Sequence, residues 1–206
     1  NAERLGRKHF SGKILRENGT EDKRAAAGIY FVREAGMTQS ERREWLIKAL
    51  LNEPDSPDEY KKIELPPQND EVAQKDLLRS LMNVRPPRPV SDEFLKIQDE
   101  YLTERNKERG ITDVATLKNV PADKRIFLWQ GDIATLNADA IVNAANSALL
   151  GCFAPLHACI DNCIHTFSGV QVRLECNEIM QKQGTPEKTG SAKITPAFNQ
   201  PAKYVL

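Results

Sequence analysis

The apolar periodicity of the chain changes once, at Arg125. Before it, apolar residues recur at helical spacing. After it, short apolar runs alternate with helical stripes. The first half must therefore bury helix against helix, and the second must bury a sheet against helices. That alternation predicts an α/β layered domain. In such sheets, ligands collect where strands end and loops begin.

Upstream of the change, "TQSE" at Thr38–Glu41 has capping-box spacing. Trp45, Leu46, Ala49 and Leu50 follow as one apolar stripe. A loop rich in Pro, Asp and Glu covers 52–69, and Leu77, Leu78, Leu81 and Met82 repeat the helical pattern. Pro86, Pro87 and Pro89 break it, since proline cannot continue a helix interior. Ser91 is a good N-cap for the next stripe, Phe94, Leu95, Ile97 and Tyr101, and Gly110 is a natural stop. No chemical motif lies here, so the region reads as a helical packing or lid subdomain.

Downstream, "RIFLWQGDI" reads as a strand entering a turn at Gly131, and "ADAIVNAANS" as a second strand over Ala140–Val142. Ile160, Ile164 and Phe167 form a helical stripe. Val172, Cys176, Ile179 and Met180 form another, closed by Gly184. "SAKITPAF" and "AKYVL" return to strand. The strand at Tyr204–Leu206 has no closing turn after it, which predicts a truncated domain with an unpaired sheet edge. Residues 1–36 begin without Met and show no sustained period. They read as a reading-frame remnant, an expression leader or a genuine extension.

The chemistry concentrates in "NAANSALLGCFAPLHACIDNCIH", Asn143–His165, which holds three of the four cysteines and two of the three histidines. Cys152, His157 and Cys159 have the spacing C-x4-H-x-C. Thiolate, imidazole and thiolate suit zinc, and three protein ligands leave one tetrahedral position open, as catalytic zinc sites do. A redox pair and plain packing fit the same spacing. Cys163 or His165 could supply a fourth ligand and close the site. Both read better as core or tautomer-fixed residues, since Cys163 shares an apolar face with Ile160, Ile164 and Phe167, where a free cysteine packs well.

Other function classes recede. Net charge is zero, so no global basic footprint for nucleic acid exists. No apolar run reaches the roughly 20 residues of a membrane span. The first 20 residues are polar and mixed in charge, unlike a signal peptide. The cysteine spacing is unlike a secreted disulfide scaffold, which points to a reducing, cytoplasmic setting.

"QGDIATLNADAIVNAANSALLG" followed by "GSAKITPAFNQPAKYVL" resembles a macrodomain, the ADP-ribose-binding fold. The stretch after Gly151 departs from the commonest macrodomain pattern and resembles the zinc-dependent branch. So does the upstream helical region with "LLRSLMNVR" and "SDEFL". The resemblance covers about Met37 to Leu206. It implies a three-layer α/β/α sandwich with a mixed sheet, incomplete at the C-terminus and preceded by a helical extension. The divisions are then 1–36, 37–122 and 123–206.

The resemblance also implies roles. Asp132, beside Ile133, accepts from the adenine amino group. Asn143 and Asn146 serve the ligand loop, with Asn146 against the distal ribose. Gly151 helps cradle the diphosphate. Asp161 lies beside the distal ribose and the metal. Zn2+ sits on Cys152, His157 and Cys159. From the residues alone, Asp132 could be a turn former, Asn143 and Asn146 could bond their own loop, and Asp161 could serve a helix start. The implied activity is a zinc-dependent hydrolase that removes mono-ADP-ribose from modified proteins, with Asn146 and Asp161 as catalytic residues. The alternatives are a reader that binds ADP-ribose without cleaving it, and a structural zinc module. The implied partners are an ADP-ribosylated protein of the lipoyl carrier, glycine-cleavage H type, and a sirtuin-type ADP-ribosyltransferase.

Overall fold

The computed structural model describes residues 36–206. The leader or extension assigned to 1–36 lies, apart from Gly36, outside the described residues.

Three helices open the fold: α1 (Gln39–Leu51), α2 (Glu71–Val84) and α3 (Asp92–Glu108). Each begins where a side chain satisfies an otherwise unpaired backbone N–H. Thr38 and Glu41 close the expected capping box on α1. Asp70 accepts from Ala73 N on α2, and Ser91 from Phe94 N on α3. α3 ends at the expected stop, with Arg109 as its C-cap and Gly110 just after it in the left-handed region at φ 84°. The apolar stripes meet as predicted. Leu46, Ile47, Leu50, Leu78, Leu81, Phe94, Ile97, Tyr101 and Leu102 form one buried core, which Val170 joins from further along the chain.

Short strands follow: β1 (Thr112–Asp113), β2 (Asn119–Val120), β3 (Asp123–Phe127), β4 (Leu136–Asn137) and β5 (Ala140–Ile141). Then come α4 (Ile160–Ser168), α5 (Val170–Gln183), β6 (Thr195–Pro196) and β7 (Tyr204–Val205). β5 pairs parallel with β7, and β6 pairs antiparallel with the same strand, so the sheet is mixed. β7 is its central strand, with partners on both edges. β1 and β4 form a parallel pair and β2 and β3 an antiparallel one. The second core joins this sheet to α4 through Ile141, Ile164, Ala197, Ala202 and Val205. The chain is thus α/β, with small mixed sheets and a helical layer ahead of them.

β3 differs from expectation. Its apolar residues stay in solvent, with Leu128 just beyond it 85% exposed. Among the described residues it pairs only with β2, and four of its five residues are exposed.

α4 and α5 meet at Gly169, which adopts φ 93°. No side chain of its own segment caps α5. Gln98 of α3 does so instead, with Oε1 accepting from Val170 N at 2.9 Å. Asn106 of α3 donates to the carbonyl of Asn199 at 2.7 Å. These bonds fasten the helical layer to the α/β part. No helix among the described residues is long and apolar enough to cross a membrane.

Candidate functional site

The chain leaves β5 through Asn143 and enters a loop that runs to Cys159. Asn143 N donates to Leu206 O at 2.8 Å, continuing the ladder beyond β5. Asn146 folds the next turn: its Oδ1 accepts from Ala148 N at 2.9 Å and its Nδ2 donates to Gly151 O at 3.3 Å. Leu149, Gly151 and Leu156 all adopt positive φ, so the loop is tightly folded. Gly151 is required by space as well as by its φ of 82°. A Cβ there would lie 2.7 Å from Cγ and Nδ1 of His165.

Cys152, His157 and Cys159 offer one ligand atom each, and these atoms lie within 4.8 Å of one another. Cys152 Sγ is 3.6 Å from His157 Nδ1. Zinc bond lengths of about 2.3 Å to sulfur and 2.0–2.1 Å to nitrogen place tetrahedral ligands about 3.5 Å apart. The donor set and its spacing therefore fit a zinc ion. Cys163 and His165 stand outside the cluster, so the cluster supplies three protein ligands.

Cys159 is also the N-cap of α4, with Sγ accepting from Asn162 N at 3.4 Å. Burial pushes its thiol pKa up and the adjacent Cys152 adds to this, while the Asn162 N–H opposes it. Two neighbouring thiols resist joint ionisation, and a divalent cation removes that resistance.

Asp161 lies in the first turn of α4 and is 5% exposed. Asn143 Nδ2 donates to its Oδ1 at 2.8 Å. Burial raises the Asp161 pKa, against the Asn143 bond and the Arg173 cation. Asn143 Oδ1 is buried without a partner among the described residues. His165 Nε2 lies 3.6 Å from Asp161 Oδ1, within ion-pair reach but too far for a hydrogen bond. Burial and the Arg173 cation push His165 down to about 3, so the ring is neutral and the contact is not an ion pair.

A cleft of about 540 Å³ opens beside the loop, and Asn143 and Asn146 line it. Asp132, Ile133, Gly151, Asp161 and the three metal-type ligands are not among its lining residues. Asp132 caps a single helical turn, Ile133–Thr135, by accepting from Ala134 N at 2.9 Å. Its other oxygen pairs with Arg109, whose guanidinium lies 3.4 Å from the Phe167 ring centroid. The structure thus brings the three metal-type ligands, Asn143, Asn146, Gly151 and Asp161 into one loop and helix start. Asp132 and Ile133 occupy a separate turn.

Several side chains that hold the loop went unnoticed in the sequence. Arg79 and Asn83 of α2 bond its backbone. Asn162 donates to the carbonyls of Cys152 and Ala154. Arg173 donates to Leu150 O and, across the fold, to Met82 O and Arg85 O. Burial lowers its pKa to about 10, so it keeps its charge at neutral pH. The available signal was slight: Arg79 and Asn83 are polar residues four apart beside the apolar stripe of α2.

Comparison with known proteins supplies a context for this geometry. The family model described as "Macro domain" matches residues 142–206. A protein of Treponema medium named "Protein-ADP-ribose hydrolase" is 59% identical over 172 residues, which are 82% of this chain and 64% of that protein. A protein of the same name from Staphylococcus aureus (strain MSSA476) is 56% identical over 131 residues, 64% of this chain and 48% of the relative. A Fusarium oxysporum f. sp. cubense protein named "Probable bifunctional ADP-ribose hydrolase/ADP-ribosyltransferase" is 41% identical over 128 residues, 58% of this chain and 21% of its own length. The chain thus spans less than two thirds of each of these relatives.

Proposed function

We propose that the protein removes mono-ADP-ribose from modified proteins, using zinc held by Cys152, His157 and Cys159. One observation carries this reading. A cysteine-histidine-cysteine cluster with ligand atoms within 4.8 Å stands at the start of α4, directly ahead of the buried Asp161. The similarity to proteins named as ADP-ribose hydrolases supports the substrate. When bound, zinc supplies Lewis-acid chemistry, polarising oxygen and making water more acidic.

The chain's own residues hold the sugar. Asn143 orients the Asp161 carboxylate through its amide N–H, and its unpartnered Oδ1 accepts from a ribose hydroxyl. The other Asp161 oxygen accepts from a second hydroxyl and steadies the reacting end of the ribose. Asn146, whose amide closes the loop turn, keeps that edge of the cleft in shape for the distal ribose. Gly151, with the backbone amides around its left-handed turn, helps cradle the diphosphate. Asp132, with Ile133 beside it, receives the adenine amino group while Arg109 holds the carboxylate in place.

The partner in this reading is an ADP-ribosylated protein, a lipoyl carrier of the glycine-cleavage H type, modified by a sirtuin-type ADP-ribosyltransferase. A relative whose name joins a hydrolase to an ADP-ribosyltransferase supports the pairing of the two activities. Thiol ligands must stay reduced to bind metal, which supports a cytoplasmic setting.

The test is release of ADP-ribose from a modified carrier protein, with elemental analysis of the same preparations. Reduced wild-type protein should carry about one zinc per chain and should lose activity when a chelator removes it. Cys152→Ala and Cys159→Ala should lose both metal and turnover. Full activity from zinc-free wild-type protein would overturn the reading.

A further inference from the structure

We infer that Arg79 and Asn83, on helix α2 of the N-terminal layer, are positioning residues for the metal loop. The inference rests on the reading that Cys152, His157 and Cys159 hold zinc. The loop must bring three donors together although its own backbone supplies little order. Within Cys152–Cys159 a single loose backbone bond forms, His157 N to Ala154 O at 3.3 Å. Leu156 adopts φ 57°, a left-handed conformation that a leucine holds only when its surroundings impose it.

The imposing groups come from α2. Asn83 Oδ1 accepts from Leu156 N at 3.1 Å, and Arg79 Nη2 donates to His157 O at 2.9 Å. The two bonds bracket the strained residue and its histidine neighbour. The same Nη2 donates to Asn162 Oδ1 at 2.8 Å. That contact turns Asn162 Nδ2 toward Cys152 O and Ala154 O, at 3.3 and 2.9 Å. Backbone groups at residues 152, 154, 156 and 157 are thus held by three side chains.

Asn83 is 1% exposed and Asn162 is fully buried, so neither has water as a substitute partner. Asn83 Nδ2 donates to Thr166 Oγ1 at 3.0 Å, which fixes the amide so that its oxygen faces Leu156. The spacing of Arg79 and Asn83 puts both on one face of α2. The helical layer therefore sets the place of the histidine ligand and, through Asn162, of the first cysteine.

Cobalt(II) titration of the reduced full-length protein tests this, because its visible bands report both affinity and the tetrahedral ligand field. Asn83→Ala and Arg79→Ala should weaken cobalt binding by about 10–100-fold, the usual effect of losing an outer-shell support, and should alter the band envelope. Arg79→Lys keeps one donor and should recover part of the loss. Gln98→Leu removes a bond between the helical layer and α5 that does not touch the loop, and should lower stability while leaving cobalt affinity close to wild type. If Asn83→Ala fails to fold, Arg79→Ala, a less buried position, carries the same comparison. Folded variants with wild-type affinity and spectrum would overturn the inference, as would an equal loss in Gln98→Leu, which would mark the contacts as packing alone. Wild-type protein that takes up no cobalt or zinc would instead overturn the metal reading itself, and the inference with it.

Discussion

Gly151 and His165 illustrate how narrowly single residues are constrained here. The His165 ring occupies the space where a Gly151 side chain would lie, and the backbone at Gly151 is left-handed. Gly151→Ala should therefore lower stability by roughly 1–3 kcal/mol, the usual cost of such backbone strain, with added displacement of the ring. Urea unfolding at neutral pH measures it, and an unchanged midpoint would show that the ring yields freely. His165 has a second consequence. Its folded form stays neutral down to about 3, against an ordinary value of 6.5. Below 6.5 the unfolded chain takes up a proton that the folded chain refuses, so stability falls with pH between 6.5 and about 3. The slope for one group is at most about 1.4 kcal/mol per pH unit. Asp161, raised by burial, acts in the opposite sense. The histidine contribution is therefore read as the difference between wild type and His165→Gln in metal-free protein. That difference should move steadily against wild type from pH 6.5 to 4.5, and parallel pH profiles would contradict it.

Among the elements, α5 has the least independent start. A glycine stands at its N-cap, and the cap comes from Gln98, on another helix. Gln98→Leu keeps the volume but leaves Val170 N unpaired and Gln171 Oε1 without its donor at 2.7 Å. A buried N–H without a partner costs about 1–3 kcal/mol, so thermal unfolding should shift down accordingly. A loss below 0.5 kcal/mol would show that another acceptor replaces it. Local patterns otherwise read well at this scale. The capping box at Thr38, the cap at Ser91, the stripes of α1 to α5 and the left-handed Gly184 all depend on neighbours within one or two turns. β3 is legible as a strand, yet its exposure is not, because periodicity reports an apolar run and not what covers it.

For the molecule as a whole, what the sequence revealed divides by distance along the chain. The cysteine-histidine-cysteine spacing was legible because its members lie within eight residues and share one loop. Its supports were not. Asn83 and Thr166 are 83 positions apart, and Arg173 and Met82 are 91 apart. No local pattern announces such a pairing. Asp132 is conspicuous in sequence, but its pairing with Arg109, 23 positions away, is not.

Arg173 bears on where this protein can be cut. The family match begins at Val142, and a designer trimming to that boundary would keep Arg173 and remove residues 82 and 85. The guanidinium would keep Leu150 O and lose the carbonyls of Met82 and Arg85. Leu156 and Asn162 would at the same time lose their partners on α2. The smallest portable piece of this architecture therefore begins well before the recognisable family signature. A graft or fusion that respects the signature alone would carry Cys152, His157 and Cys159 without the scaffold that holds their loop.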